Sequence, residues 1–295
     1  ANNARIEPSV GVFVDGVYRS RSASQIGDFP DVQRVEVLRG PQSTLFGKNA
    51  SAGVVSVVTQ KPKFEFGGNV EGSYGNLNAI VAKGVVTGPV SETIALSLAG
   101  GFNKRDGYVK NLAIGTRIAE RDRWFVRGQI LIEPSSDLSV RLIGDYSKID
   151  ERCCGVFNVR ASGATALLTS PLIGGRINNA ANIYADEVYY NYDPTNKVTS
   201  WGGSGQIDYD FGAATLTSIT AYRKLKSKAD FDTDFTSADL ARGAGVGQID
   251  LTTFTQELRL AAEVGDRLNL LVGAFYFNEK VKQGTQIGWG AAARP

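Results

Sequence analysis

The feature that most constrains this chain is an alternation of apolar and polar residues that begins after Lys63 and continues to Lys280. Between residues 124 and 132, for example, Val126 and Ile130 alternate with Arg127 and Gln129. A period of two predicts strands with one apolar and one polar face. The nine strands predicted in this way, the seventh with an uncertain register, are 64–74, 78–87, 94–102, 124–132, 138–147, 199–209, 216–228, 252–262 and 268–280.

The connections between these strands differ in length in a regular way. Short turns at 88–92, 133–137, 210–213 and 263–267 interleave with long polar loops at 103–122, 150–197 and 229–250. Among the connections at the end of the strands that carries the long loops, only the first, near 75–77, is short. Outer-membrane barrels have short turns on the periplasmic side and long loops outside.

Aromatic residues also cluster at one end of the strands, the end that carries the long loops. If the first strand rises from the periplasm, six aromatics fall near the outer strand ends: Tyr74, Phe102, Trp124, Tyr146, Trp201 and Tyr276. Such a girdle is typical of a membrane interface. A soluble β-sandwich binding module would also alternate, but it has no reason to sort aromatics and loop lengths by end.

The residues before this pattern contain a second constraint, at 32–62. Two apolar segments, 34–38 and 54–59, predict short strands around a glycine-rich turn. Between them, Gly40-Pro41 breaks the chain, 43–46 fits one helical turn, and Gly47 and Gly53 permit positive φ or a close backbone approach. Gly47-Lys48 does not complete a phosphate-binding loop, because Gln42 and Asn49 stand where that motif needs Gly and Ser or Thr.

Three segments in order, VFVDGVY (12–18), VEVLRGPQSTLFG (35–47) and NASAGVVSVVTQKP (49–62), resemble the end of the plug domain of TonB-dependent outer-membrane receptors. The resemblance implies an all-β fold, with 1–62 as the C-terminal part of a plug and 63–295 as the first part of a transmembrane β-barrel. Barrels of this type have 22 strands and a plugged lumen. Nine strands with an open edge at 268–280 are roughly two fifths of such a barrel, so we expect a fragment. The absence of Met agrees with that expectation.

The resemblance also implies functional residues. Glu36 and Arg39 lie beside the turn of Gly40 and Pro41, where family members pair plug charges with charges of the barrel wall and so lock the plug. We expect their partners in strands beyond this sequence. The loop with Arg19 and Arg21 faces the ligand in some family members; a solvated loop is the alternative.

The implied function is active transport across the bacterial outer membrane, most often of a ferric siderophore. The implied partners are that ligand, the outer-membrane lipid and TonB, whose contact segment we expect before residue 1. These residues do not distinguish a siderophore ligand from cobalamin or a glycan. A passive porin or adhesin barrel is a further alternative, which the plug motifs disfavour.

Composition excludes several other functions. With 32 basic and 30 acidic residues the chain has no nucleic-acid footprint. It contains no His, which removes the commonest transition-metal ligand and general base, and no catalytic constellation is found. We therefore expect that the protein is not an enzyme and has no cofactor. We also expect that iron arrives inside a chelator. Asp230, Asp232 and Asp234 alternate and could bind a hard cation, although a solvated strand end is the favoured interpretation.

The two cysteines, Cys153 and Cys154, are adjacent. Each could pair with a cysteine outside this sequence, or the two could form a vicinal disulfide. We expect the disulfide, as a stiffener of the long loop in an oxidising compartment.

Overall fold

The computed structural model describes residues 8–20, 30–47, 49–179, 181–243, 247–265 and 267–293. The strands in these residues are β1 (Val10–Val14), β2 (Val17–Tyr18), β3 (Val32–Arg39), β4 (Gly53–Thr59), β5 (Gly67–Gly75), β6 (Ala79–Ser91), β7 (Ile94–Arg105), β8 (Val109–Asn111), β9 (Thr116–Ile118), β10 (Arg121–Ser135), β11 (Leu138–Arg152), β12 (Glu187–Val188), β13 (Thr195–Asp210), β14 (Ala214–Asp232), β15 (Ala241–Gly243), β16 (Gln248–Val264), β17 (Leu268–Gly284) and β18 (Gly288–Trp289). The helices are α1 (Ser43–Phe46) and α2 (Gly163–Leu168), with 3₁₀ turns at Ile183–Ala185 and Ala291–Ala293. No helix in the described residues is long and apolar enough to cross a membrane.

The four N-terminal strands form a small sheet in the order β2-β1-β4-β3, which we call the plug sheet. β4 is its centre, because it pairs in parallel with β1 and antiparallel with β3. Its β-branched residues suit a strand with neighbours on both sides, and Val54 is fully buried. Asp15 and Gly16, with φ of 49° and 75°, form the turn between β1 and β2. Positive φ at both central residues is the requirement of a type I′ hairpin.

A large sheet holds most of the remaining chain. Its main path, which we call the wall, is β17-β16-β14-β13-β11-β10-β7-β6-β5, and every pairing in it is antiparallel. These are the nine strands that the alternation predicts, so the all-β prediction is confirmed. The wall is an open sheet with β5 and β17 as its edges.

The strands are longer at their outer ends than the alternation predicts. β14 continues to Asp232 rather than ending at Lys228, and β17 continues to Gly284 rather than Lys280. The physical reason is that apolar–polar alternation marks only the part of a strand with one apolar environment. Backbone pairing continues beyond that part, where both faces are polar.

The long connections also contain structure that the sequence did not reveal. β8, β9 and β12 form a three-stranded sheet above the wall, around a core of Val109, Ile118, Val188 and Tyr190. Ser162 caps α2 with a capping box. The prediction of plain polar loops was wrong here, because strands of two or three residues are too short for any periodicity to be read.

The outward face of the wall carries a continuous aromatic belt. Phe102 is the cross-strand neighbour of Trp124, Tyr146 of Trp201, and Tyr222 of Phe254. Trp124 stacks on Tyr146 at 5.1 Å, and Phe254 contacts Tyr276 at 6.2 Å between ring centroids. From one strand to the next, the position of the aromatic residue shifts by about one residue relative to the hydrogen-bonded register. Because barrel strands are tilted, such a shift keeps the aromatic residues at the same height along the barrel axis.

The uncertain register of β14 also has an explanation. Its inward positions include Ile219 and Ala221, which pack against Val17 of the plug sheet, and Leu225, which belongs to another apolar cluster above them. Both faces of this strand therefore carry apolar residues, and alternation alone could not decide between them.

We predict that an arginine on the outward face destabilises the wall in a depth-dependent way. Leu142 and Val126 are 42% and 40% exposed on that face. Leu142→Arg, four residues from Tyr146, is expected to cost about 2–4 kcal/mol, and Val126→Arg, two residues from Trp124, about 0–1 kcal/mol. Urea unfolding of the full-length protein in lipid vesicles measures both values.

Leu142→Val and Val126→Ala are the matched controls and should unfold close to the native midpoint. Equal midpoints for native protein and Leu142→Arg would contradict the assignment of this face to lipid.

Candidate functional site

The tip of the β1–β2 hairpin inserts a carboxylate between two arginines of the wall. Nη2 of Arg127 on β10 donates to Oδ2 of Asp15, and Nη1 of Arg141 on β11 lies 3.4 Å from Oδ1 of Asp15. The Asp15 and Arg127 side chains are 3% and 1% exposed.

Neutral groups of both sheets complete the network. The amide of Thr59, at the end of β4, donates to Asp15 Oδ1 at 2.9 Å. Arg141 Nη2 donates to the Thr59 hydroxyl at 2.8 Å, and Arg141 Nε donates to Oε1 of Gln129 at 3.0 Å. Gln129 Nε2 in turn donates to Oδ2 of Asp31 at 3.0 Å. We call Asp15, Asp31, Thr59, Arg127, Gln129 and Arg141 the seam network.

Asp31 is less completely hydrogen-bonded than Asp15. Its Oδ2 lies 4.0 Å from Arg127 Nε, while Oδ1 has no hydrogen-bond partner within the described part of the chain. Burial raises the pKa of the Asp31 carboxyl above its usual range, and the charge of Arg127 opposes that rise. The network therefore holds one carboxylate firmly and a second one weakly.

A second charged contact lies nearer the outer loops. Arg19, which follows β2, is buried, and its Nη2 lies 4.0 Å from Oδ2 of Asp145 on β11. Arg223 on β14 holds the same carboxylate with both Nη1 and Nη2, the latter at 2.7 Å. Burial, and then the charge of the neighbouring Arg223, lower the pKa of the Arg19 guanidinium to about 9.

Apolar contacts also join the two sheets. Val17 packs on Ile219, and Tyr18 meets Phe277 of β17 edge-on at 5.7 Å. In the part of the chain that the structure describes, the plug sheet is thus attached through ions and hydrogen bonds together with these apolar contacts. Such a seam is strong while dry but leaves costly unpaired charges when one partner is removed.

Beside the seam network is an open cavity of about 700 Å³ between the plug sheet and the wall. Asp15 and Arg141 form part of its lining, together with Arg34, Glu36 and Arg259. The cavity is therefore bordered by both sheets and is lined by both acidic and basic side chains.

The predicted locking residues lie on β3, the edge strand of the plug sheet. Glu36 accepts a hydrogen bond from Arg34 Nε at 2.6 Å, and this pair is about half exposed. Arg39 is exposed, and its carbonyl accepts from Gln42 at 3.4 Å. Within the described residues neither side chain contacts the wall, so their locking role stays a prediction that concerns strands outside this sequence.

The remaining predicted plug residues are placed as follows. Gly40, Gly47 and Gly53 have φ of 80°, 68° and 155°, with Pro41 after the first of them. A Cβ on Gly53 would lie 2.6 Å from the carbonyl oxygen of Leu38, so glycine is required at that position. The side chain of Arg19 is buried against Asp145 rather than solvated, and its ligand-facing role stays a prediction. Arg21 lies outside the described residues.

Sequence reasoning missed the seam network itself. Alternation places Arg127 on the polar face of a strand and singles out neither Asp15 nor Arg141. The available signal was the combination of inward-facing arginines on two adjacent strands and a carboxylate at a hairpin tip, which need partners when they are buried.

The long loops hold the other predicted residues. Cys153 and Cys154 form a disulfide directly after β11, as expected, at the start of the 153–194 connection. The solvated strand end predicted for Asp230, Asp232 and Asp234 was wrong for Asp232, which is 1% exposed and accepts hydrogen bonds from the amides of Asp234, Phe235 and Asn191. The described residues contain no group of three or more potential metal ligands.

We predict a pH-dependent loop structure around Asp232. This residue lies ten positions beyond Tyr222 of the aromatic belt, outside the membrane-spanning part of β14. Burial, and then the charge of Asp234, raise its pKa to about 7. Because the folded pKa exceeds the unfolded value of about 4, this group's stabilisation is present at low pH and is lost as pH rises through 7.

Amide hydrogen exchange in 188–194 and 231–243, corrected for intrinsic rates, is therefore expected to be faster at pH 8 than at pH 6. Asp232→Asn should flatten this difference, whereas Asp230→Asn should leave it. A pH response that persists in Asp232→Asn would contradict the assignment.

We also predict that Asp15 holds the plug sheet without stabilising the wall. Asp15→Ala leaves two buried guanidinium groups facing each other. We expect it to weaken the free energy of attachment between the plug sheet and the wall by about 3–5 kcal/mol. Limited trypsin digestion of the full-length protein should cleave the plug in this variant. The barrel should stay folded, which is seen on a denaturing gel as a band that changes its mobility only after boiling.

Glu36→Ala is the matched control, because its pair with Arg34 is exposed and worth about 0–1 kcal/mol. If Asp15→Ala and Glu36→Ala show the same resistance to trypsin, the seam network does not hold the plug.

Comparisons with known proteins agree with this architecture. Residues 3–54 match the family described as TonB-dependent Receptor Plug Domain. The pesticin receptor of Yersinia pestis is 40% identical over 85 residues, which cover 29% of this chain and 12% of the receptor. The ferrioxamine B receptor of Salmonella typhimurium is 39% identical over 71 residues, or 23% of this chain and 10% of that receptor. These matches span only a small part of the relatives.

Solved structures match over nearly the whole chain. The ferric yersiniabactin uptake receptor of Yersinia pestis gives a TM-score of 0.75 at 20% identity and covers 96% of this chain and 41% of that one. The siderophore receptor of Acinetobacter baumannii gives 0.70 at 16% identity, with 95% and 40% covered. At these identities the likeness shows the fold. Residues 3–54 thus match a TonB-dependent receptor plug domain, and the chain as a whole has the fold seen in part of these siderophore receptors, a plug sheet joined to antiparallel barrel strands.

Proposed function

We propose that the protein of which this chain is part takes up a ferric siderophore across the outer membrane, with energy delivered through TonB. The observation that carries the proposal is the plug sheet held on the inner face of the wall by the seam network. A passive porin needs an open lumen, and a plug anchored by buried charges opposes that use. Receptors named for pesticin, ferrioxamine B and ferric yersiniabactin support the siderophore class over cobalamin and glycans.

The chemistry of the seam suits a plug that must stay closed and then move. Buried ion pairs fix geometry, but their net contribution to stability is modest because desolvation offsets the attraction. Once water reaches the seam, the separated Asp15, Arg127 and Arg141 are hydrated, which lowers the free energy of the open state. A pull by TonB on the segment before residue 1 would begin this separation.

The outer loops would capture the ligand. The sheet of β8, β9 and β12, with its core around Tyr190, gives these connections a fixed shape rather than a disordered one. We propose transport, and not catalysis, as the activity: iron would arrive and leave inside its chelator, with no protein cofactor.

Uptake of a radioactive ferric siderophore by iron-starved cells tests the proposal. A strain that lacks the full-length gene, complemented with the native gene, is expected to accumulate iron only when TonB is present. Equal accumulation with and without TonB would refute energy coupling. Uptake of cobalamin or a glycan in place of the siderophore would correct the ligand class.

We predict that charge reversal at Arg39 impairs this uptake. Arg39→Glu is expected to lower the initial rate about tenfold, which corresponds to roughly 1.4 kcal/mol, because a wall carboxylate would face a like charge. Lys61→Glu, on an exposed plug lysine, is the matched control. A native rate in Arg39→Glu, with an unchanged heat-shifted barrel band in both variants, would remove Arg39 from the lock.

A further inference from the structure

The buried ion pairs between the plug sheet and the wall do not balance in charge. Every side chain that takes part in them is at most 15% exposed. An uncompensated charge is costly in a region with so little water. The groups are four arginines, Arg19, Arg127, Arg141 and Arg223, against three carboxylates, Asp15, Asp31 and Asp145.

The surplus positive charge lies at Arg19, directly after β2. Arg223 holds Asp145 with two nitrogens, whereas Arg19 lies 4.0 Å from the same carboxylate. Arg19 is 6% exposed, and its Nε has no hydrogen-bond partner within the described part of the chain. Burial, and then the charge of Arg223, lower the pKa of Arg19 to about 9, so the guanidinium is still charged at neutral pH. This guanidinium therefore needs a further acceptor.

A small cavity of about 10 Å³ adjoins Arg19. Arg19 and Arg223 line it together with Ser200 and Thr253, and none of the described residues in its lining is a carboxylate. The Ser200 hydroxyl accepts a hydrogen bond from Arg223 Nη2 at 3.3 Å, and in the described chain its own hydrogen has no acceptor. The volume suits one particle of the size of a water molecule. A phosphate, or a carboxylate carried by a larger molecule, is too big for it.

We propose that this cavity binds one halide ion, chloride in ordinary media, between Arg19 of the plug and Arg223 of the wall. A halide is a single atom, it carries the missing negative charge, and it accepts hydrogen bonds from guanidinium and hydroxyl groups. A water molecule fits the same volume but leaves the surplus charge unbalanced. Because the two arginines belong to different sheets, the ion adds a contact that holds the plug sheet against the wall.

Anomalous X-ray diffraction tests the halide site directly. Crystals of the full-length protein are grown in bromide instead of chloride, because bromide has the same charge and is distinguished from water by its anomalous scattering. We expect a peak in the anomalous map between the guanidinium groups of Arg19 and Arg223. The absence of an anomalous peak at this position would overturn the proposal.

A protease assay in solution measures what the ion does to the plug. Thermolysin, which does not cleave at arginine, is added to the full-length protein in potassium chloride or in potassium gluconate. Gluconate is too large for the cavity, and equal ionic strength keeps the screening of all other charges the same. At a chloride concentration about tenfold above its dissociation constant, cleavage of the plug is expected to be about tenfold slower than in gluconate.

Two variants separate the halide site from a general effect of salt. Arg19→Gln removes the surplus charge, and Ser200→Asp supplies a permanent carboxylate beside Arg223, so each should be cleaved at the same rate in both salts. Arg34→Gln is the matched control, because it removes a half-exposed arginine of the plug sheet, and it should respond to chloride as native protein does. A chloride response that persists in either test variant would overturn the proposal. A bromide peak in native protein that is cleaved equally in both salts would mean an adventitious ion only, and would overturn it too.

The halide site does not depend on the proposed transport, and the two are tested separately. A native protein that shows the bromide peak and the chloride response but takes up no siderophore would refute transport alone. Siderophore uptake by a native protein that shows neither the peak nor the response would refute the halide site alone.

Discussion

The structure depends on the satisfaction of a buried carboxylate, Asp15, by two arginines of the wall. A charge at the tip of a hairpin is stable in a dry interface only if its partners are already in place. Arg127 and Arg141 meet this need from adjacent strands, and Thr59 adds an amide and a hydroxyl from the plug's own sheet. The position of the plug sheet is thereby fixed to one place on the wall.

This constraint explains why the wall's inward face is polar at some levels and apolar at others. Around Asp15 the inward residues are Arg127, Gln129 and Arg141, whereas under β2 they are Ile219 and Ala221. The inward face is therefore complementary to the plug rather than uniformly wet. The outward face has a simpler requirement, because lipid interacts with every strand alike, and its pattern of apolar residues and aromatics is accordingly regular.

That difference determines how much the sequence could predict. The nine wall strands, their short turns and the aromatic belt follow from a regular environment, and each was predicted from alternation. The contacts that join plug to wall in the seam network connect residues more than 60 positions apart, such as Asp15 with Arg127. The sequence shows which residue types are present but not which of them pair. β8, β9 and β12 were missed for the opposite reason, since strands of two or three residues have no period at all.

The plug residues near Gly40 show where family resemblance and structure contribute different information. Resemblance drew attention to Glu36 and Arg39 on β3, the edge strand of the plug sheet, which form no ion pair with the described wall strands. Geometry drew attention to Asp15 and Asp31, which are hydrogen-bonded directly to the wall. The two sets are not alternatives, because a plug enclosed by a barrel has wall on several sides and needs contacts on each. Contacts distributed in this way can separate in stages. The weakly satisfied contact of Asp31 with the wall requires less free energy to separate than the contact of Asp15. Opening on this side is therefore expected to begin at Asp31 and to end at Asp15, at the hairpin tip.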